Sequence, residues 1–322
     1  MSYKVLVFGA GDAGRRLIYI VKQDIVDIMG FIDNDQLKQG KKFYNKPVIS
    51  PNEIKSFKYD FIVIASQNEK EIREQLISLG VSKKEIISFL NVEDAEQWSA
   101  LFKPYANISP GATYSPWFED QEFLKKYDKV KCDTLVDIYR CYELWMLVKQ
   151  YGLVDGNMLE VGVYKGGTAG IICSAAQLCN KNIIVYLADT FSGVVKAGVN
   201  DSIYRGGEHG DTDVEHVEHL LKDELYLQNY RILKGTFPEE THSLVDSKSI
   251  SFCHIDVDVY DSAKDITEWL WDKLVVGGMI VYDDYGWELC DGVTKYLNEQ
   301  KTKADRRLIY NLNGHGILIK IQ

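Results

Sequence analysis

The sequence predicts an α/β protein that contains two parallel sheets, one in each of two domains. Short apolar strands alternate with amphipathic helices in two separate series along the chain, and such alternation is typical of parallel sheets with right-handed crossovers. In each series the first strand leads into a glycine-rich turn. The length of 322 residues is enough for two domains of ordinary size.

The first series covers residues 1–90 and predicts the smaller domain. The pattern predicts strands at Lys4–Phe8, Asp27–Ile32, Phe61–Ala65 and Ile86–Phe89, and helices at Gly11–Lys22 and Glu69–Leu79. Residues 91–130 mix aromatic side chains with prolines. We expect this stretch to be a linker or lid segment.

The second series covers residues 131–322. An amphipathic helix is predicted at Asp133–Tyr151, before strands at Met158–Val161, Ile183–Ala188, Tyr230–Leu233, Ser251–Ile255, Met279–Tyr282, Leu308–Asn311 and Gly316–Ile321. Helices fit between the first five strands. Asn313-Gly314 separates the last two and is a hairpin signal. We therefore expect a seven-stranded sheet that ends in an antiparallel hairpin.

Composition excludes several classes of function. The formal net charge of −10 argues against a nucleic-acid partner, since binding to phosphate backbones requires a basic face. The six cysteines form no CxxC pair and fall mostly in apolar runs, which favours reduced core thiols over disulfides or a zinc site. The sequence shows no signal segment and no apolar run of about 20 residues. We expect a cytoplasmic protein without membrane insertion.

The first glycine-rich turn has the spacing of a nucleotide-binding loop. Gly9, Gly11 and Gly14 lie between a strand and a helix, and Asp33 ends the next strand. Glycines allow a tight turn, the helix N-terminus offers N–H groups to a phosphate, and an acid at this distance can accept ribose hydroxyls. A turn that binds no ligand is the alternative interpretation.

The second glycine-rich turn points to a different ligand. Gly162 allows a close approach of the backbone, and Gly166-Gly167 leave N–H groups uncovered at a helix start. Glu160 suits an ammonium group, and Asp189 can accept two ribose hydroxyls. Both groups occur in S-adenosylmethionine, so we predict a site for this cofactor formed by Glu160, Gly162, Lys165, Gly166, Gly167, Thr168, Asp189, Thr190, Ser192 and Gly235.

Five segments of the second domain resemble the macrocin O-methyltransferase family. They are LEVGVYKGGTA, ADTFSG, LKGTFPEET, HIDVDVYDSAKD and LWDKLVVGGMIVYDDYG, and the likeness spans residues 132–322. The resemblance implies a class I S-adenosylmethionine methyltransferase fold and metal-dependent methylation of a sugar hydroxyl. By position, it implies Asp256 as the first metal ligand, which also takes part in catalysis, and Asp283 and Asp284 as the others.

The strand pattern supports the same metal site independently. Asp256 follows one strand and Asp283-Asp284 follow another, and the carboxyl ends of parallel strands meet at one edge. Oxygen ligands suit Mg²⁺, with Ca²⁺ or Mn²⁺ as alternatives. We do not expect zinc in this site, because the alternation of side chains along the strand points Cys253 and His254 away from this edge. Asp258 is an additional candidate ligand.

A base must accept the proton of the hydroxyl, and His209 is the first candidate. It lies in the polar, glycine-rich loop 204–213, where the family resemblance implies a catalytic histidine. The remaining histidines are weaker candidates: His216 and His219 on the next helix, His315 at the mouth of the site, and His254 as a core residue. Arg140 either neutralises an anion or pairs with an acid at the surface, and it is left out of the predicted site.

The sequence therefore predicts an enzyme that methylates a sugar hydroxyl, with a small-molecule sugar as substrate. We expect a nucleotide-linked or surface-glycan sugar as the acceptor, and we expect the protein to form a homo-oligomer.

The first domain has a resemblance of its own. The stretch VFGAGDAG, followed by GFIDND and Lys46-Pro47-Val48, resembles the nucleotide-binding domain of bacterial sugar acyltransferases. This resemblance implies a nucleotide or nucleotide-sugar ligand in the first domain. The alternatives are an NAD-dependent oxidoreductase, a nucleotide-sugar-binding scaffold, or a methyltransferase for aromatic substrates.

Overall fold

The computed structural model describes residues 2–66, 68–89, 100–105, 114–179 and 182–322. The chain divides into two compact units, Met1–Ser109 and Pro110–Gln322. Parts of the predicted linker, at 91–99 and 106–113, lie outside the described residues.

The first unit is built on a sheet with the strand order β3-β4-β2-β1-β5-β6. Central strand β1 pairs in parallel with β2 and β5. The short β3–β4 hairpin was not predicted, because its turn, Tyr44-Asn45, has positive φ at both residues without the usual glycine. The element bounds are β1 (Tyr3–Phe8), α1 (Asp12–Ile20), β2 (Val26–Ile32), β3 (Lys42–Phe43), β4 (Lys46–Ile49), β5 (Phe61–Ile64), α2 (Glu69–Ser78) and β6 (Ile86–Ser88).

Two apolar clusters cover the faces of this sheet. Val5 and Val7 of β1 belong to one buried cluster, and Leu6 and Phe8 belong to the other. Alternate residues of a strand point to opposite faces, so an uninterrupted apolar strand indicates burial on both sides. This is the pattern that the sequence showed for β1.

The second unit contains the predicted seven-stranded sheet, in the order β12-β13-β11-β10-β7-β8-β9. Strand β13 runs antiparallel between β11 and β12, as the closing hairpin predicted. The strands are β7 (Asn157–Val161), β8 (Val185–Asp189), β9 (Tyr230–Lys234), β10 (Ile250–Ile255), β11 (Leu274–Tyr282), β12 (Arg306–Tyr310) and β13 (Gly316–Lys320). The helices are α3 (Gln121–Val130), α4 (Ile138–Tyr151), α5 (Gly167–Cys179), α6 (Val214–His219), α7 (Tyr260–Trp271) and α8 (Asp291–Gln300).

Helix α3 lies in the stretch that was expected to be a linker or lid. The side chain of Asp120 accepts a hydrogen bond from the amide of Phe123 and caps this helix. Phe123 and Val130 are fully buried in the same apolar cluster as residues of α4 and α5. Helix α3 was not predicted although Phe123, Leu124, Tyr127 and Val130 recur at helical spacing, because the aromatic residues and prolines of 91–130 favoured a linker.

Helix α4 begins five residues later than predicted, and this places its first turn beside the site described below. The carboxylate of Asp137 accepts hydrogen bonds from the amides of Tyr139 and Arg140, at 2.9 and 3.0 Å. Such a cap marks a helix start. Residues 133–136 therefore form an irregular segment ahead of the helix.

Strand register decides which side chains meet at the edge of the second sheet. Ile255, the last residue of β10, pairs with Val161 of β7 on one side and with Tyr282 of β11 on the other. The residues that follow these three strand ends are Asp256, Gly162 and Asp283. They consequently lie next to one another.

Two further observations concern the chain as a whole. All six cysteines are free thiols, and Cys141, Cys173, Cys253 and Cys290 are buried, as the core-thiol interpretation predicted. Within the part of the chain that is described, no helix combines the length and the apolar composition needed to cross a membrane.

Candidate functional site

A cavity of about 290 Å³ opens at the carboxyl ends of the parallel strands of the second unit. It is the place where α/β sheets commonly bind ligands. Nine of its lining residues belong to the predicted site: Gly162, Thr168, Asp189, Thr190, His209, Gly235, Asp256, Asp283 and Asp284.

The three predicted metal carboxylates converge in this cavity. One oxygen atom each of Asp256, Asp283 and Asp284 lies within 4.8 Å of the others. Burial raises the pKa of Asp256 and of Asp284 well above the usual range, and the negative charges of the neighbouring carboxylates raise them further. Two of the three groups therefore resist ionisation as long as no cation lies among them.

Asp283 differs from the other two because cationic side chains surround it. The guanidinium of Arg140 forms a buried ion pair with Oδ2 of Asp283, and Nε2 of His315 lies 3.0 Å from Oδ1. Burial alone would raise the pKa of Asp283. The neighbouring His254, His315 and Arg140 outweigh burial and hold it far below its usual range.

Arg140 is a site residue that the sequence reading left out. Its side chain is 7 % exposed, lines the cavity, and donates from Nε to Oδ2 of Asp137 at 2.8 Å. Only the three-dimensional arrangement brings it to Asp283, 143 positions away along the chain. Its position in the first turn of an amphipathic helix offered no signal of this contact.

His315 is not at the mouth of the site, contrary to the prediction. It is fully buried, with Nδ1 2.5 Å from Oε2 of Glu143 and Nε2 against Asp283. Burial lowers the pKa of His315, but the hydrogen bonds to Asp283 and Glu143 outweigh it, so the pKa is raised overall. The closing hairpin thus supports the carboxylate cluster from behind.

The prediction that His254 points away from the edge was also wrong. His254 is fully buried, and its Nε2 lies 3.8 Å from Oδ1 of Asp283. Its Nδ1 lies 2.9 Å from Oε1 of Glu160. Burial lowers the pKa of His254, but the carboxylates of Asp283 and Glu160 raise it to about 10. Cys253 does point away, into the apolar cluster on the other face.

This pairing changes the interpretation of Glu160. The sequence suggested that its carboxylate would meet the ammonium group of the cofactor. In the structure Glu160 is fully buried in β7 and faces His254, and it does not line the cavity. The carboxylate of Glu160 consequently pairs with a buried histidine inside the sheet and does not face the ligand space.

Asp258 and Cys290 adjoin Asp284 and extend the cluster. The backbone N–H of Asp258 donates to Oδ2 of Asp284 at 3.2 Å, and the thiol of Cys290 lies 3.4 Å from Oδ1 of Asp284. The same thiol lies 3.5 Å from Oδ1 of Asp258. Burial raises the pKa of the Asp258 carboxyl. Asp258 lines the cavity as well, so a fourth carboxyl group faces the ligand space.

The second glycine-rich turn is shaped by Gly162 and Asp189. Gly162 has φ of +89°, and a Cβ atom there would lie 1.7 Å from the carbonyl oxygen of Asp256, so no other residue fits. Asp189 uses Oδ2 to accept the amides of Val163 and Tyr164, at 2.6 and 2.9 Å. Its Oδ1 accepts the amide of Phe191 at 2.7 Å. The carboxylate therefore orders the loops on both sides of the cavity.

Besides Glu160, four other residues of the predicted cofactor group do not line the cavity. The ammonium group of Lys165 pairs with Oδ2 of Asp211 at 2.6 Å, and Ser192 is exposed. Gly166 has φ of +91° and forms the turn before α5, and the amide of Gly167 donates to the carbonyl oxygen of Asp133 at 3.0 Å. These residues build the turn without facing its ligand space.

Among the histidines of the loop region, His209 is the one that lines the cavity. Its Nε2 lies 3.3 Å from the hydroxyl of Tyr204, another lining residue. The ring of His209 is exposed, and the residue has φ of +60°. His216 pairs with Asp133 and His219 with Asp223, and neither lines the cavity.

The first unit carries the other predicted loop. A Cβ at Gly14 would lie 2.1 Å from the carbonyl oxygen of Gly9, whereas a Cβ at Gly11 would meet nothing within 4 Å. Oδ2 of Asp33 accepts the amide of Ala10 at 2.9 Å and pairs with Lys38 at 3.0 Å. The carboxylate of Asp33, which was predicted to contact a nucleotide, is therefore already hydrogen-bonded and ion-paired within the protein.

Comparisons with protein families give both units a counterpart. Residues 137–314 match the family described as macrocin-O-methyltransferase (TylF). Residues 1–87 match the family described as C2185-like, N-terminal. The likeness of the first unit to sugar acyltransferases stays a prediction.

Two curated relatives and one solved structure agree with the first of these matches. A demethyldecarbamoylnovobiocin O-methyltransferase of Streptomyces niveus is 24 % identical over 47 % of this chain and 60 % of its own length. An 8-demethyl-8-(2,3-dimethoxy-alpha-L-rhamnosyl)-tetracenomycin-C 4'-O-methyltransferase of Streptomyces olivaceus is 28 % identical over 44 % of this chain and 58 % of its own length. The structure of the O-methyltransferase NovP superposes with a TM-score of 0.51 and 22 % identity, over 59 % of this chain and 83 % of that one.

The chain thus spans about 60 % of the length of the curated relatives that it matches. The superposition supports the class I methyltransferase fold of the second unit. The family match covers more than half of the chain, from residue 137 to residue 314, and includes the strands that carry the carboxylate cluster. The chain therefore belongs to the macrocin O-methyltransferase (TylF) family.

Proposed function

We propose that the second unit transfers the methyl group of S-adenosylmethionine to a hydroxyl group of a sugar. The observation that carries this proposal is the convergence of Asp256, Asp283 and Asp284 at the sheet edge, directly beside the glycine-rich turn at Gly162. A cofactor turn and an acidic cluster in one cavity are what methyl transfer to a poorly acidic hydroxyl requires. Family membership and the sugar O-methyltransferases among the relatives support the same reaction.

The residues of the turn fit the cofactor. Gly162, Thr168, Asp189, Thr190 and Gly235 line one continuous part of the cavity. Gly162 leaves room where any side chain would collide with Asp256, and Oδ1 of Asp189 keeps a free lone pair for a ribose hydroxyl. When bound, S-adenosylmethionine would supply an electrophilic methyl group.

The carboxylate cluster fits a divalent cation with a preference for oxygen ligands. Asp256, Asp283 and Asp284 would hold this cation. The raised pKa values of Asp256 and Asp284 support the assignment, because carboxyl groups that share a cation repel one another when the cation is missing. Mg²⁺ suits such ligands, and Ca²⁺ or Mn²⁺ are alternatives. The ion would lower the pKa of a bound hydroxyl and orient it. Asp283 is kept ionised by His254, His315 and Arg140, so one anionic ligand is preformed.

Two side chains of the cavity are suited to receive the proton of the sugar hydroxyl. His209 is our first candidate, because its ring lines the cavity and is exposed to solvent. Asp258 is the alternative, because its carboxyl group lies next to Asp284 and has a raised pKa. Replacing each by an uncharged residue, His209→Gln and Asp258→Asn, tests the choice: loss of the base should lower kcat about 100-fold or more.

The experiment that tests the proposal is titration of S-adenosylhomocysteine by calorimetry. Wild type should bind it with micromolar affinity, and Asp189→Ala should lose at least tenfold, because both flanking loops depend on this carboxylate. Asp246→Ala is the matched control, an exposed aspartate that pairs with Arg231 outside the cavity. No binding by folded wild-type protein would overturn the proposal.

The wider role of the enzyme forms part of the same proposal. The acceptor would be a nucleotide-linked or surface-glycan sugar, and the first unit would hold a nucleotide or nucleotide-sugar. Free cysteines suit a reducing compartment, so we place the reaction in the cytoplasm. We also expect a homo-oligomer, which light scattering of the purified protein would test.

A further inference from the structure

Three large apolar side chains line the cavity and remain exposed to solvent. Leu135, Trp287 and Leu289 expose 71 %, 39 % and 39 % of their surface. Leu135 lies in the irregular segment before α4, and the other two follow β11. Apolar side chains that stay exposed around a cavity with converging polar groups are typical of a ligand-binding surface.

The indole of Trp287 is held in place from the protein side. The guanidinium carbon of Arg140 lies 5.1 Å from its ring centroid, a cation–π contact. A Cβ at Gly314 would lie 2.7 Å from Nε1 of Trp287, so the closing hairpin packs tightly against the indole edge. Arg140 also pairs with Asp283. One side chain thus fixes both the indole and a carboxylate of the cluster.

The charged side chains that line the cavity are mostly acidic. Six aspartates line it, namely Asp133, Asp189, Asp256, Asp258, Asp283 and Asp284, against a single guanidinium, that of Arg140. No lysine is found among its described lining residues. With Arg140 already paired to Asp283, this described lining offers a phosphate group no unpaired guanidinium or ammonium, whereas its carboxyl oxygens can accept hydrogen bonds from hydroxyl donors.

We propose that Trp287 is the platform on which an uncharged sugar ring of the acceptor stacks, with its hydroxyl groups donating to the aspartates. This inference rests on the proposed function and names the residue that would select the acceptor. The C–H face of a pyranose is apolar and suits the open part of the indole, while its hydroxyls point to the sides. The diphosphate of a nucleotide-linked sugar would remain outside the cavity.

Saturation-transfer NMR tests this platform without requiring turnover. The probes are the methyl glycosides of glucose, galactose, mannose and rhamnose, added to full-length protein with S-adenosylhomocysteine and Mg²⁺. At least one glycoside should receive saturation on its ring C–H protons from wild type. Trp287→Ala should weaken that transfer about fivefold or more, which corresponds to the loss of one ring contact. Trp287→Phe, which retains an aromatic ring, should keep most of it.

Leu153→Ala is the matched control, since Leu153 is 86 % exposed and does not line the cavity. Equal transfer in wild type and Trp287→Ala, or no transfer from any of the four glycosides, overturns the inference. UDP-glucose provides a further test. The inference is also overturned if the uridine and sugar protons of UDP-glucose receive stronger saturation than the protons of methyl glucoside, and if Trp287→Ala removes that saturation. Calorimetry with S-adenosylhomocysteine on the same samples separates the two proposals, because cofactor binding should be unchanged in Trp287→Ala.

Discussion

Buried charges around Asp283 are the residue-scale feature that most affects stability of the second unit. Arg140 and Asp283 expose 7 % and 5 % of their side chains, so water screens neither of them. Taking two charges out of water is costly, and the cost is offset only while both partners are present. Removing one partner leaves the other charge buried without compensation.

We therefore expect Arg140→Met to destabilise the protein by about 3 to 5 kcal/mol. The side chain keeps comparable volume but loses the charge that holds Asp283 ionised. Urea unfolding followed by tryptophan fluorescence measures the change, with Arg231→Met as control because the Arg231–Asp246 pair is exposed. A loss below about 1 kcal/mol would show that His315 and His254 suffice to hold Asp283.

The carboxylate cluster leads to a second residue-scale prediction. Asp284→Asn should weaken Mn²⁺ binding at least tenfold, because an amide oxygen carries no charge to match the ion. Electron paramagnetic resonance of Mn²⁺ measures the bound fraction directly. Asp272→Asn, an exposed aspartate after α7, is the control. Unchanged Mn²⁺ affinity in Asp284→Asn would exclude this cluster as the metal site.

At the scale of elements, glycines of the first loop have unequal roles. Gly14→Ala should destabilise the first unit by about 1 to 3 kcal/mol, because its Cβ would collide with the carbonyl oxygen of Gly9. Gly11→Ala should be nearly neutral, since its Cβ meets nothing within 4 Å. Thermal melting of both variants compares them. If Gly11→Ala instead abolishes the binding of a nucleotide, the ligand and not the fold requires a residue without a side chain at position 11.

Asp33 connects β2 to the first loop and makes the stability of this region depend on pH. Burial raises the pKa of Asp33, but hydrogen bonds from Asp35, Lys38 and Ala10 outweigh burial and lower the pKa below the ordinary value of an aspartate. A lowered pKa in the folded state means that the stabilisation is present above the unfolded pKa and is lost as pH falls through the folded value.

The protection of the β1 and β2 amides from hydrogen exchange, taken relative to the intrinsic exchange rate at each pH, should therefore fall below about pH 4 in wild type. In Asp33→Asn this protection should already be lower at neutral pH and should show little further acid dependence. Asp24→Asn is a control, because Asp24 is an acid outside these hydrogen bonds. Equal acid dependence in wild type and Asp33→Asn would contradict the assignment.

At the scale of the whole molecule, each unit has its own apolar clusters. Residues 110–322 should fold without the first unit and bind S-adenosylhomocysteine within about threefold of the full chain. Calorimetry on the fragment measures this. An affinity more than about tenfold weaker would show that the first unit contributes to the cofactor site. Comparing KM values for nucleotide-sugars between fragment and full chain tests the proposed ligand of the first unit.

Much of the architecture was predictable, because strand–helix alternation and the Asn313-Gly314 turn depend on local residue pattern. The seven strands of the second sheet, including the antiparallel insertion of β13, were found where the sequence predicted them. The convergence of Asp256 with Asp283 was also predictable, since parallel strand ends share an edge. Helix α3 carried the same kind of local signal in the spacing of Phe123, Tyr127 and Val130, although the stretch was assigned to a linker.

The amino-acid sequence alone determined the fold class, the family and the set of acids at the sheet edge, because these follow from periodicity, strand ends and motif order. Only the tertiary structure decided which of those groups face the cavity and which are buried in pairs. Glu160 turned out to face His254, and Arg140 and His315 turned out to hold Asp283. Such contacts join residues 32, 94 and 143 positions apart, so their geometry depends on strand register and packing, which local patterns do not encode.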